Sequence, residues 1–223
     1  MEFMQKQFDL IVWDWDGTLV DSTGMIAAAL IKATEEVGLP LITAEQVKSI
    51  IGLGMRESIQ VLYGDIPENK AQALARHYSI NYYASESHIS LFEGASETIV
   101  ELSKRGFKLA VATGKGRRGL DSALVHSQLT HYFHATRTVD ECLSKPHPQM
   151  LNELMDDLGV LPERTLMIGD TSYDLQMANA AGVGSVGVTY GAQVLDEWQY
   201  LRPVMHFDKF SDLSLWLLDA PGV

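Results

Sequence analysis

A single cysteine, Cys142, stands in the 223 residues, so the chain can close no disulfide within itself. Its fold must rest on a packed core, and the composition suits a reducing compartment. No apolar run nears the ~20 residues that span a bilayer. Met1 to Gln7 lack the apolar stretch of a secretion signal, and the run that follows carries Asp9 and ends in Asp14-Trp15-Asp16. Positive charge is scarce: 17 Lys and Arg against 29 Asp and Glu, a formal net charge of −12. That balance argues against nucleic acid or an anionic membrane as partner. A cytoplasmic protein is expected. The deficit does not exclude a small anionic substrate. Surface charge is screened beyond ~8 Å at physiological salt, and a metal ion or one or two lysines in contact govern a site's potential. Repeats, low-complexity segments and long linkers are also missing.

Hydrophobic residues make up 46% of the chain, enough for a full core. Three apolar runs each stop on a reactive polar residue: Phe8 to Trp13 on Asp14, Phe107 to Ala112 on Thr113, and Leu166 to Gly169 on Asp170. Short runs of this kind, each followed by a glycine-containing turn and a helical pattern, read as buried strands of a parallel sheet. Open parallel sheets build their sites at the carboxyl ends of their strands. If the three strands are neighbours, Asp14, Thr113 and Asp170 converge.

Between Val20 and Ile89 there is no strand pattern. Met25 to Val37 places Met25, Ala29, Ala33 and Val37 on one helical face, ended by Gly38-Leu39-Pro40. Thr43 with Gln46 makes a capping-box start for a helix over Ala44 to Ile51. Gly52-Leu53-Gly54 breaks it, Met55 to Tyr63 resumes, and Pro67 opens a helix reaching about Ser87. This block, residues 19–91, is an expected all-helical cap domain inserted in an α/β core of residues 1–18 and 92–223. From Phe92 the alternation returns, with helices over Glu93 to Lys104, Arg117 to Gln128, Pro148 to Leu158 and Ser172 to Ala181. Strands are expected over Ala135 to Val139, Ser185 to Val188 and Val204 to Phe207. Helices near Val194 to Leu201 and over Leu213 to Leu218 complete the pattern. Repeated βα units predict right-handed crossovers and a doubly wound, Rossmann-like parallel sheet.

Asp14-Trp15-Asp16-Gly17-Thr18 puts two carboxylates two residues apart at a strand end. Thr113-Gly114-Lys115-Gly116 offers a hydroxyl and backbone N–H groups at a helix start, an anion seat without Walker A spacing. Lys145 sits in Ser144-Lys145-Pro146-His147-Pro148, where extended geometry before proline and a following helix start fix its direction. Asp170 and Asp174 are one helical turn apart, and an acid at this position also caps the helix. Arg56, after the break in the cap helices, is a candidate for a substrate carboxylate; a solvated arginine reads equally well there.

The segments DWDGTLVDS, ATGK, SKPHP and GDTSYDLQMANAAG, in this order, resemble the haloacid dehalogenase-like (HAD) hydrolase superfamily, within it the helical-cap phosphatases akin to phosphoglycolate phosphatase. The resemblance implies a phosphatase hydrolysing a small-molecule phosphate monoester, phosphoglycolate-like, through an aspartyl-phosphate. It implies Asp14 as nucleophile and Asp16 as general acid and base. Mg²⁺ would be held by Asp14, the backbone carbonyl of Asp16 and Asp170. Thr113 and Lys145 would hold the phosphoryl oxygens, with Gly17, Gly114, Lys115 and Arg56 at the phosphate or substrate, and Asp174 orienting Lys145 or a metal-bound water. A sugar-phosphate mutase, a pyrophosphatase or a nucleotidase are alternatives on the same scaffold. A receiver-type phospho-accepting signalling module is another, though it has neither the helical insert nor the second aspartate. Gly182-Val183-Gly184-Ser185-Val186-Gly187 fits G-x-G-x-x-G literally but follows a helix and enters a strand, the reverse of a dinucleotide site. His126, His131 and His134 fit no helical face for zinc.

Overall fold

The computed structural model describes residues 7–85, 90–193 and 198–219. Six strands, β1 (Leu10–Trp13), β2 (Lys108–Thr113), β3 (Ala135–Thr138), β4 (Thr165–Gly169), β5 (Gly184–Val188) and β6 (Met205–Phe207), form one sheet. Their order is β3-β2-β1-β4-β5-β6, and every neighbouring pair is parallel. The chain lays β2 and β3 to one side of β1, then crosses back to lay β4, β5 and β6 on the other. The reversal flanks β1, and in open parallel sheets that is where a crevice opens beyond the strand ends.

The central strands β1, β2 and β4 lack polar alternation because both faces are covered. Along β1, Ile11 and Trp13 join a core with Leu109, Val111, Ile168 and Val186. Leu10 and Val12 join the opposite core with Ala110, Ala112 and Met167. The first face is closed by α5 (Ala95–Lys104), α6 (Arg117–His126) and α9 (Phe210–Asp219). The second is closed by α7 (Gln149–Leu158) and α8 (Ser172–Ala181).

Among the described residues four helices intervene between β1 and α5: α1 (Thr23–Val37), α2 (Ala44–Lys48), α3 (Met55–Tyr63) and α4 (Glu68–Ser85). They bury an apolar cluster of their own, including Leu30, Ala33, Val47, Ile59 and Leu74. Thr43 and Gln46 form the expected capping box at α2. The helix stops at Lys48 instead of Ile51. Ile50 and Ile51 turn inward to bury, and Gly52 at φ 97° departs from right-handed helix. Where the chain leaves the sheet for these helices and returns to it, Asp21 N–H donates to Ser90 O at 3.0 Å and Phe92 N–H to Leu19 O at 3.0 Å, around an antiparallel bridge between Val20 and Leu91. The end of the helix expected to reach about Ser87 lies past the described residues. Of the helix expected over Val194 to Leu201, residues 194–197 also lie outside them, and Gln199–Leu201 forms a single 3₁₀ turn.

Candidate active site

β1 ends as the Asp14 N–H continues the ladder to Ile168 O at 2.9 Å, which aims the Asp14 carboxylate off the strand terminus. Thr113 lies at the end of neighbouring β2 and Asp170 at the end of β4, so the sheet brings the three strand ends together. The loop from Trp15 to Val20 then curls back, with the Leu19 and Val20 N–H groups donating to Trp15 O. Gly17 makes this possible: its φ is 85°, and a Cβ there would lie 2.1 Å from Asp170 Oδ2.

Lys145, from the loop before α7, is 1% exposed and places its Nζ 2.7 Å from Asp14 Oδ1 and 2.6 Å from Asp174 Oδ1. Asp174 serves two ends. Its Oδ2 accepts from the Thr171 N–H at 3.1 Å and the Thr171 hydroxyl at 2.8 Å, capping α8, while Oδ1 faces the ammonium. Asp170 accepts from the Ala192 N–H at 2.7 Å and from the Thr18 hydroxyl at 3.2 Å. Oxygens of Asp14, Asp170 and Asp174 lie within 4.8 Å of one another.

Three buried carboxylates therefore share one buried ammonium. Burial pushes the Asp14 carboxyl up to about 7; Lys145 opposes the rise and Asp174 adds to it. Asp170 is raised well above the usual carboxylate range by burial, then by Asp14 and Asp174. Burial works against the charge on Lys145, but the attraction of Asp14 and Asp174 wins and its pKa rises. Neither oxygen of Asp14 has a well-aligned hydrogen bond. A cluster with excess negative charge, all-oxygen donors and an under-bonded carboxylate fits a hard divalent cation such as Mg²⁺.

Asp16 stands apart from this cluster and remains open to a cleft of about 290 Å³. Lys115 Nζ lies 3.2 and 3.1 Å from its two oxygens and 2.8 Å from the Tyr82 hydroxyl of α4. The Ser22 hydroxyl donates to Asp16 Oδ1 at 2.8 Å. Thr113 Oγ1 accepts the Lys115 N–H at 3.1 Å. Lys115, expected at the phosphate, is thus engaged by Asp16. Gly114 meets the Gly52-Leu53-Gly54 loop so closely that a Cβ would lie 2.5 Å from Gly52 O, and the Gly54 N–H donates to Ser144 Oγ at 2.8 Å. The loop thus dips onto the strand ends.

The structure brings Asp14, Asp16, Thr113, Gly114 and Lys115 to the cleft wall, with Lys145, Asp170 and Asp174 buried against Asp14. Arg56 does not join them. It is exposed on α3, and its neighbour Met55 faces the cleft instead. Two contributors escaped sequence reasoning. Gly191-Ala192, past the end of β5, would have emerged had the strand-then-turn pattern been followed to that strand; a Cβ on Gly191 would lie 2.3 Å from Asp170 Oδ2. Tyr82 arrives from a remote helix and has no local signal.

A family model described as haloacid dehalogenase-like hydrolase matches residues 11–188. Phosphoglycolate phosphatase of Vibrio vulnificus is 33% identical over 196 residues, 84% of this chain and 86% of its own length. Pyrophosphatase PpaX of Bacillus cereus is 27% identical over 215 residues, 96% of this chain and 98% of its own. The crystal structure described as a predicted phosphoglycolate phosphatase from Haemophilus somnus superposes with a TM-score of 0.79 at 28% identity, covering 93% of this chain and 97% of that one. The chain belongs to the haloacid dehalogenase-like hydrolases and is a phosphatase of that family.

Proposed function

We propose that the protein hydrolyses a small-molecule phosphate monoester with Mg²⁺, through an aspartyl-phosphate on Asp14. The observation that carries this is the contrast between the two aspartates of one motif. Asp14 is buried in a carboxylate cluster short of positive charge, whereas Asp16 faces the cleft and a lysine. This contrast supports a reading in which one carboxylate attacks while its neighbour handles a proton, the division of labour that covalent hydrolysis requires.

Asp14 Oδ attacks phosphorus, the ester P–O bond breaks, and the leaving oxygen takes its proton from Asp16. Asp16 then accepts a proton from the attacking water, and the acyl-phosphate P–O bond breaks to return Asp14. The Thr113 hydroxyl and the Lys145 ammonium hold the transferring oxygens; losing a preorganised donor of this kind costs ~3 kcal/mol or more. Asp174 keeps Lys145 aimed, and its own hold on Thr171 keeps Asp174 in place. Asp14, the backbone carbonyl of Asp16 and Asp170 would hold the metal, which, when bound, supplies charge neutralisation between carboxylate and phosphate. Residues 19–91 act as a cap over the core of residues 1–18 and 92–223, excluding bulk water when the ester is seated.

Asp14→Asn should abolish phosphate release and the labelled phosphoenzyme; retained turnover removes Asp14 from the nucleophile role. Asp16→Asn should slow chemistry by ~10²–10⁴-fold while Mg²⁺ affinity holds, since its ligand atom is a backbone oxygen. Phosphoglycolate and pyrophosphate, named by the relatives, are the first substrates to assay.

A further inference from the structure

The wall of the cleft facing the Asp14 and Asp16 carboxylates is built by the helical insert, and its chemistry bears on the leaving group. Leu30, Ile50, Ile51, Leu53 and Met55 supply aliphatic surface. Tyr78, Tyr82 and Tyr83 line the adjoining side; the first two rings lie 5.8 Å apart and tilted, the second and third 5.9 Å apart and edge-on. Such rings favour the face or edge of another ring. Among the described residues Lys115 is the one cation lining the cleft, and Asp16 and Tyr82 already engage it. Arg118 stacks outside on Tyr83, 5.9 Å from the ring centroid, and Arg56 is exposed on α3. Asp140 adds a carboxylate at the mouth.

Among the described residues no cation but the already engaged Lys115 lines this wall, so a glycolate carboxylate or a second phosphate would have only the Ser58, Ser79 and tyrosine hydroxyls to offset its desolvation. A two-carbon leaving group would also leave most of about 290 Å³ unfilled. We propose that the substrate is a phosphate monoester whose leaving group is uncharged and carries an aromatic ring, seated between the tyrosines and the Leu53–Met55 wall. This rests on the phosphatase reading above and names its substrate class.

The test compares kcat/KM with Mg²⁺ on benzyl phosphate, phosphoglycolate, pyrophosphate and acetyl phosphate. Benzyl phosphate and phosphoglycolate both release a primary alcohol oxygen, so the comparison isolates the body of the leaving group. Benzyl phosphate should exceed phosphoglycolate and pyrophosphate by ~10-fold or more, the scale at which a matched apolar pocket discriminates. Met55→Arg should shift the benzyl-to-glycolate ratio by at least ~10-fold toward glycolate; Leu53→Arg serves if circular dichroism shows the first variant unfolded. Phosphoglycolate equal to or better than benzyl phosphate, or a ratio unmoved in a folded arginine variant, overturns the aromatic assignment and leaves the phosphatase standing. No phosphate release from any compound, acetyl phosphate included, overturns the phosphatase reading itself.

Discussion

Lys145 is the side chain on which the electrostatics of the centre turn, because among the described residues it is the sole ammonium within salt-bridge distance of the buried Asp14 and Asp174. Lys145→Met should therefore lower stability by ~3–5 kcal/mol, the cost of unpairing a buried charge. The carboxylates can escape by taking up protons, so the loss in urea midpoint should be larger at pH 8 than at pH 5. Cys142 is the opposite case, a thiol with a partner and no reaction. Burial pushes it up to about 11, and the neighbouring Glu153 carboxylate adds to the shift. At pH 8 its alkylation by iodoacetamide should be about two orders of magnitude slower than in the urea-unfolded chain, because only the thiolate reacts. At this scale the sequence was legible wherever a residue ended an apolar run, as Asp14, Thr113 and Asp170 do. Asp174 admitted two readings, capping and charge orientation, and its two oxygens perform one each.

The loop between α2 and α3 reaches the strand ends because glycines at both contact points permit it. A Cβ on Gly114 would lie 2.5 Å from Gly52 O and 2.9 Å from Leu53 O, both backbone atoms that cannot swing aside. Gly114→Ala should push the loop off the site without straining Gly114 itself. We expect kcat/KM to fall ~10–100-fold, a cost typical of misplaced positioning elements, while the thermal midpoint changes little; steady-state kinetics and a melting curve check both. The same stretch marks the limit of periodicity. Strands were legible to within one or two residues because apolar runs stop abruptly at the sheet edge. Helix α2 was not, since Ile50 and Ile51 continue an apolar pattern while the backbone has already turned. One residue of rotation, about 100° on a helix, also decides between Arg56 outside and Met55 inside, and sequence spacing alone did not fix which residue faces the cleft.

The whole molecule carries a net charge of −12 and also buries three carboxylates beside one lysine, so two sources of repulsion oppose folding as pH rises. They separate by where they titrate. Asp14 moves from an ordinary carboxylate value near 4 in the unfolded chain to about 7 in the fold. The native state thus binds the extra proton between those values. Its contribution is fully present below about pH 4 and lost as pH rises through about 7. The magnitude is on the order of a few kcal/mol, which for a chain of this size is a drop of ~2–4 °C per kcal/mol. In EDTA the thermal midpoint should accordingly fall between pH 5 and pH 8. Mg²⁺ binds the ionised carboxylates, so the gain in midpoint on adding it should be greater at pH 8, where no proton must leave first. Diffuse surface repulsion predicts a similar decline but one that added monovalent salt relieves. Asp14→Asn distinguishes the two. If the buried cluster is responsible, the variant loses most of the pH dependence and most of the Mg²⁺ gain; an unchanged slope assigns the effect to the acidic surface.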